Sequence, residues 1–168
     1  TSFSINSLAA STPYTVSVQA ICGAGDSSAA FSASITPPCQ SASLPYTEDF
    51  TTFMPACWTD YSNGTPSSGP TGASGASDWF SNGFMNSGSS GSASLGVSSW
   101  YGEGENNWLV SGPIDLGSNP AEVLYDYGIT SQFGSTGTSF GTGQEVILLI
   151  TDDGGVSWDT LVIYDSNT

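Results

Sequence analysis

Apolar and polar residues alternate with period two along much of the chain. In "YTVSVQAIC", Tyr14, Val16, Val18, Ala20 and Cys22 share one face, and Thr15, Ser17 and Gln19 share the other. Successive strand side chains point to opposite faces, so this spacing predicts one long strand with an apolar side. "FSINSL" alternates through Phe3 and Ile5 to Leu8, and "AFSASIT" through Phe31, Ala33 and Ile35. "GAGDSS" between the last two runs reads as a turn. Further on, strand-length runs recur between turn residues: "YTEDF", "MPACW", "DWF", "ASLGV", "NNWLVSGPIDL", "EVLYDYGI", "QEVILLIT" and "DTLVIY". A Gly/Ser/Pro-rich stretch, Ser62 to Ser77, lies among them. No helical stripe at i, i+3, i+4, i+7 persists anywhere. The pattern predicts an all-β fold of short strands in sandwich-like layers.

The 168 residues suffice for one full domain or one domain and a part. "TPPCQSASLP", stiffened by Pro37, Pro38 and Pro45, reads as a linker. It divides a short first unit, 1–36, from a larger one, 46–168, with the linker at 37–45. No apolar run approaches the roughly 18 residues of a membrane span, and no signal peptide is visible.

Charge narrows the function more than length does. The chain has no Lys, Arg or His, against fifteen Asp and Glu. No side-chain salt bridge can form, so each carboxylate must be met by N–H, hydroxyl, amide, water or a cation. Nucleic acid and anionic membrane surfaces are excluded as partners, because nothing neutralises their phosphates. Without His there is no Ser-His-Asp triad, Cys-His dyad or His-ligated zinc. Without Lys there is no Schiff base. Paired carboxylates, Tyr and calcium are what remain.

The first unit resembles the last three strands of a fibronectin type III domain. The residues are "SLAASTPYTVSVQAICGAGDSSA", with Leu8 and Tyr14 standing where that family has its Leu and its corner Tyr. The second unit resembles the MAM-like jelly rolls of secreted bacterial surface proteins, the choice-of-anchor or cleaved-adhesin domains of Bacteroidota-type secretomes. The matching pieces, in order, are "PYTEDF", "PACW", "NNWLVSGPIDL", "VLYDYG" and "VILLITDDGGVSWDTL". The resemblance implies a secreted or surface-attached, non-catalytic module. It also implies that strands are missing before Thr1 and after Thr168. A part of a longer chain, a repeat unit along a fibre, or strand exchange between copies would each account for that. The expected partners are copies of the same chain or adjacent modules, with glycans as a further class. The alternative function is a carbohydrate-binding module of a larger enzyme or adhesin.

Several short motifs remain. "TDDGGVSW" has the form of an Asp-box, a motif familiar from sialidases, where it is structural and away from the chemistry. Here Asp152, Asp153, Gly154 and Gly155 are expected to make a hairpin turn that lays Trp158 on the sheet. Glu48-Asp49, Glu103/Glu105 and Asp152-Asp153 are the carboxylate pairs a glycosidase reading would need. Adjacent strand acids point to opposite faces and cannot face each other across a cleft, so solvated acids are preferred. Calcium suits an oxygen-only, acidic chain, and jelly rolls of the resembled type hold structural calcium near their first strand. Glu48 and Asp49, with Asp115 or Asp126, are the candidates. Cys39 and Cys57 bracket the first strand of the second unit and are expected to staple the linker to it. Cys22 is left over, either a buried thiol or a partner for a cysteine elsewhere. "NGT" at Asn63 is an N-glycosylation pattern, and "DTL" resembles the Bacteroidota O-glycosylation pattern at Thr160. Trp100 and Tyr101, in "SSWYGEGENNW", are the candidate sugar contacts; shielding of a sheet edge is the preferred reading for them.

Overall fold

The computed structural model describes residues 2–75, 78–87 and 106–168, and the backbone of 93–97. The chain is all-β, with a single 3-10 turn at Phe84–Asn86 among the described residues. The strands are β1 (Tyr14–Val18), β2 (Ile21–Gly23), β3 (Asp26–Ser27), β4 (Phe31–Ile35), β5 (Ala42–Ser43), β6 (Thr59–Ser62) and β7 (Gly64–Thr65). There follow β8 (Gly69–Pro70), β9 (Trp79–Gly83), β10 (Ala93–Val97), β11 (Asn107–Val110), β12 (Ile114–Asp115), β13 (Val146–Ile150) and β14 (Asp159–Tyr164). Among the described residues they pair in seven two-stranded ladders, antiparallel except for β5 beside β12. No helix among the described residues is long and apolar enough to cross a membrane.

The alternation of the first unit is realised in β1 and β4. Their antiparallel register sets Tyr14 opposite Ile35, Val16 opposite Ala33, and Val18 opposite Phe31. Directly opposed residues share a face, so these three pairs make one apolar side. Thr15–Ser34 and Ser17–Ser32 make the polar side, where the Ser17 and Ser32 hydroxyls lie 2.7 Å apart.

The long strand expected through Cys22 breaks at Gln19 and Ala20. The Gln19 Nε2 donates to the Ser28 carbonyl at 2.7 Å, and the Ala20 N–H to the Ser28 Oγ at 3.0 Å. With the Ser28 N–H donating to Ala20 O at 2.9 Å, these side-chain bonds interrupt the regular ladder. The register also shifts between Ile21 and Gly23, so alternation fails at Cys22. Its thiol is exposed, not buried as expected. "FSINSL" is no strand, and Phe3 is exposed. "YTEDF" also forms none. There Glu48 Oε1 accepts the Phe50 N–H at 2.8 Å, and Asp49 Oδ1 accepts the Thr51 N–H at 3.0 Å. Side chains that bind their own backbone compete with a ladder.

Among the described residues, Trp108 is the large apolar side chain that is buried. It sits on β11 opposite Tyr61 of β6. The Gly/Ser/Pro stretch wraps this ladder: Gly72 N–H reaches Ser62 O at 2.7 Å, and Gly75 N–H reaches Asp60 O at 2.9 Å. The Asn106 side chain caps the same corner through Gly64 O at 2.6 Å.

Candidate functional site

The turn between β13 and β14 is built around one carboxylate. Asp153 Oδ1 accepts from the Thr151 hydroxyl at 2.8 Å, the Val156 N–H at 2.9 Å and the Ser157 N–H at 3.0 Å. Its Oδ2 accepts the Ser157 hydroxyl at 2.7 Å. The Ser157 bonds, with the Thr151 hydroxyl next, hold the Asp153 carboxyl far below the usual carboxylate range. Gly154 and Gly155 take φ of 76° and 91°, conformations that side chains resist. Asp152 is exposed beside them. The turn brings Trp158 against Trp108, with ring centroids 5.6 Å apart. Gly69, buried and at φ 74°, lies under the Trp158 indole with no room for a Cβ. The geometry of this turn is that of an anchor for Trp158.

The linker is tied down by a Cys39–Cys57 disulfide with Cα atoms 5.8 Å apart. The Ser11 hydroxyl lies 3.0 Å from Cys39 Sγ, and the Ser11 N–H donates to Pro37 O at 2.9 Å. A cavity of about 140 Å³ lies beside this junction, lined by Tyr46, Cys57, Pro113 and Ile114 among others. Tyr46 OH accepts the Trp58 Nε1–H at 2.9 Å, and Phe50 meets Trp58 edge-on at 5.4 Å.

The described residues hold no group of three or more acidic or cysteine side chains placed for a metal ion. Glu48, Asp49, Asp115 and Asp126 do not gather into such a group. Instead, Asp49 is occupied by the Thr51 N–H and hydroxyl, which lower its pKa, and Asp115 by the Gly117 N–H at 2.9 Å. Asn63 is exposed at φ 61°, at the turn into β7, and Thr160 is exposed on β14. Trp100, Tyr101, Glu103 and Glu105 lie outside the described residues.

Two surfaces emerge that are not polar. The apolar side of the β1–β4 ladder is open at one end, where Val18 is 66% exposed and Phe31, directly opposite, 74%, while Tyr14 and Val16 are half-buried. The Tyr14 hydroxyl at the other end accepts the Ala9 N–H at 3.0 Å. The second surface is the run 116–128, exposed throughout and in no ladder, with Val123 and Leu124 facing solvent. Its Tyr125 and Tyr127 lie against Tyr164 at the end of β14, with centroids 6.4 and 4.2 Å away. The Tyr125 and Tyr164 hydroxyls are 2.8 Å apart. Partial burial, then the hydrogen bond to Tyr164, push the Tyr125 phenol up to about 12. The tyrosine cluster was missed in the sequence. "LYDY" puts Tyr125 and Tyr127 on one side, but nothing in it points to Tyr164, about forty residues on.

No family model, curated protein or solved structure matches the chain.

Proposed function

We propose that the chain is a non-catalytic, extracellular β module with a structural or adhesive role, and that it assembles head to tail by completing the sheets of neighbouring copies. The observation that carries this is the open end of the apolar side of the β1–β4 ladder, with Val18 and Phe31 in solvent on one face and hydroxyls on the other. A two-stranded ribbon with one apolar face is marginal alone in water and gains by taking up a cover. Ladder edges are natural surfaces for adding another strand. The Tyr14–Ala9 hydrogen bond supports the likeness to the end of a fibronectin type III sandwich, whose corner Tyr bonds backbone a few residues upstream. The absence of Lys, Arg and His supports a role without catalysis. An oxidising setting suits the Cys39–Cys57 bond.

Negative-stain electron microscopy with light scattering tests the reading. Regular filaments, lost in Phe31→Asp but kept in Ser32→Asp on the polar side of the same strand, are the expected result. A uniform monomer at every salt concentration and protein concentration would overturn it.

A further inference from the structure

We propose that Tyr125 and Tyr164 form an oxidative cross-linking site, at which a peroxidase-type oxidant joins the two phenols into dityrosine. The inference goes beyond the assembly reading and does not depend on it. Three observations carry it. The two hydroxyl oxygens are 2.8 Å apart, the ring centroids are 6.4 Å apart and the rings meet at 76°, so the two phenols are direct neighbours. Tyr127 packs against Tyr164 with centroids 4.2 Å apart and restrains that ring. The cluster is open to an oxidant, since Tyr125 is 43% exposed and Tyr127 45%.

The composition gives the chemistry its place. A chain without lysine cannot be reinforced through side-chain amines, so isopeptide and imine cross-links are closed to it. Phenol coupling needs no amine. The link would fasten the run 116–128, which no ladder holds, to the end of β14.

The step balances as follows. Hydrogen peroxide, acting through a haem peroxidase, removes one electron and one phenolic proton from each tyrosine. The two phenoxyl radicals join through one new carbon–carbon bond between ortho carbons. The two ortho hydrogens then move to the oxygens through solvent, which restores both phenols. Two hydrogens leave the protein, and the peroxide O–O bond breaks to give two waters.

The test treats the dilute, full chain with hydrogen peroxide and horseradish peroxidase. Expected are dityrosine fluorescence, a monomer lighter by two hydrogens, and, after cleavage at Asp and Glu, a joined peptide pair containing Tyr125 and Tyr164. Tyr125→Phe and Tyr164→Phe should each remove this product, whereas Tyr127→Phe should retain it. The phenyl ring is kept in every variant, and the peptide map of the unsubstituted chain stands even if one fails to fold. Coupling only between chains, coupling at other tyrosines, or no dityrosine at all would overturn the assignment.

Discussion

Replacing Cys39 and Cys57 together with Ser would release the linker from the strand region that follows. The disulfide spans a sequence separation of 18 residues. In the chain-entropy picture a closed loop of that length removes about 11 cal/mol/K from the unfolded chain, or about 3 kcal/mol at room temperature. The folded side changes less. Two bonds that tie the loop to residues outside it, Trp58 Nε1–H to Tyr46 OH and Ala42 N–H to Pro113 O, both 2.9 Å, remain. The loss therefore falls mainly on the unfolded state, whose freedom the bond restricts. For a chain of this size, about 3 kcal/mol corresponds to a fall in Tm of about 6–12 °C. The assay is thermal unfolding followed by tryptophan fluorescence, with Cys22→Ala in every version, because an exposed thiol would reshuffle the bond. Adding reductant to the parent should reproduce the variant. A loss under about 1 kcal/mol, with reductant equally without effect, would refute the reasoning.

Gly69→Ala should cost about 1–2 kcal/mol from its positive φ alone and more from the indole it would strike. Gly75→Ala, at nearly the same φ but in open space, is the matched comparison, and equal melting of the two would remove the Gly69–Trp158 contact. Asp153 has a depressed pKa in the fold, so its contribution is present above the ordinary carboxylate range and is lost as pH falls through the folded value. Asp153→Asn should flatten the acid limb of the stability–pH profile, and an unchanged limb would count against the four-bond turn. Tyr125 is shifted the other way: the fold favours its neutral phenol, so that contribution holds below the ordinary tyrosine range and fades as pH rises towards about 12. Ultraviolet titration should show the Tyr125 phenol ionising late, and Tyr164→Phe should lower its pKa only in part, because burial, the larger cause, remains.

The sequence carried the strands whose alternation is local and uninterrupted. Tyr14–Val18 and Phe31–Ile35 are strands, because period-two spacing leaves the backbone a single good use for both faces, and Val146–Ile150 is one as a short, continuous apolar run. It failed where side chains compete for the backbone. Ser28 breaks the strand after Val18, and Glu48 and Asp49 turn "YTEDF" into a loop; neither hydroxyl nor carboxylate preference registers in an apolar pattern. "EVLYDYGI" reads as a strand, yet a strand needs a neighbour, and its tyrosines instead meet Tyr164. The anchoring turn at Thr151–Trp158 was legible residue by residue, because all its bonds are local. Gly69 under Trp158 was not, because a long-range contact leaves no trace beside a glycine.

Asp153 accepts hydrogen bonds from hydroxyls and backbone N–H groups of its own turn. Salt weakens a fold chiefly by screening attraction between opposite charges, and this chain has no oppositely charged side chains to screen. What dissolved ions can dampen is the mutual push of its carboxylates. A protein furnished in this way should tighten, not loosen, as its surroundings pass from fresh water to brine.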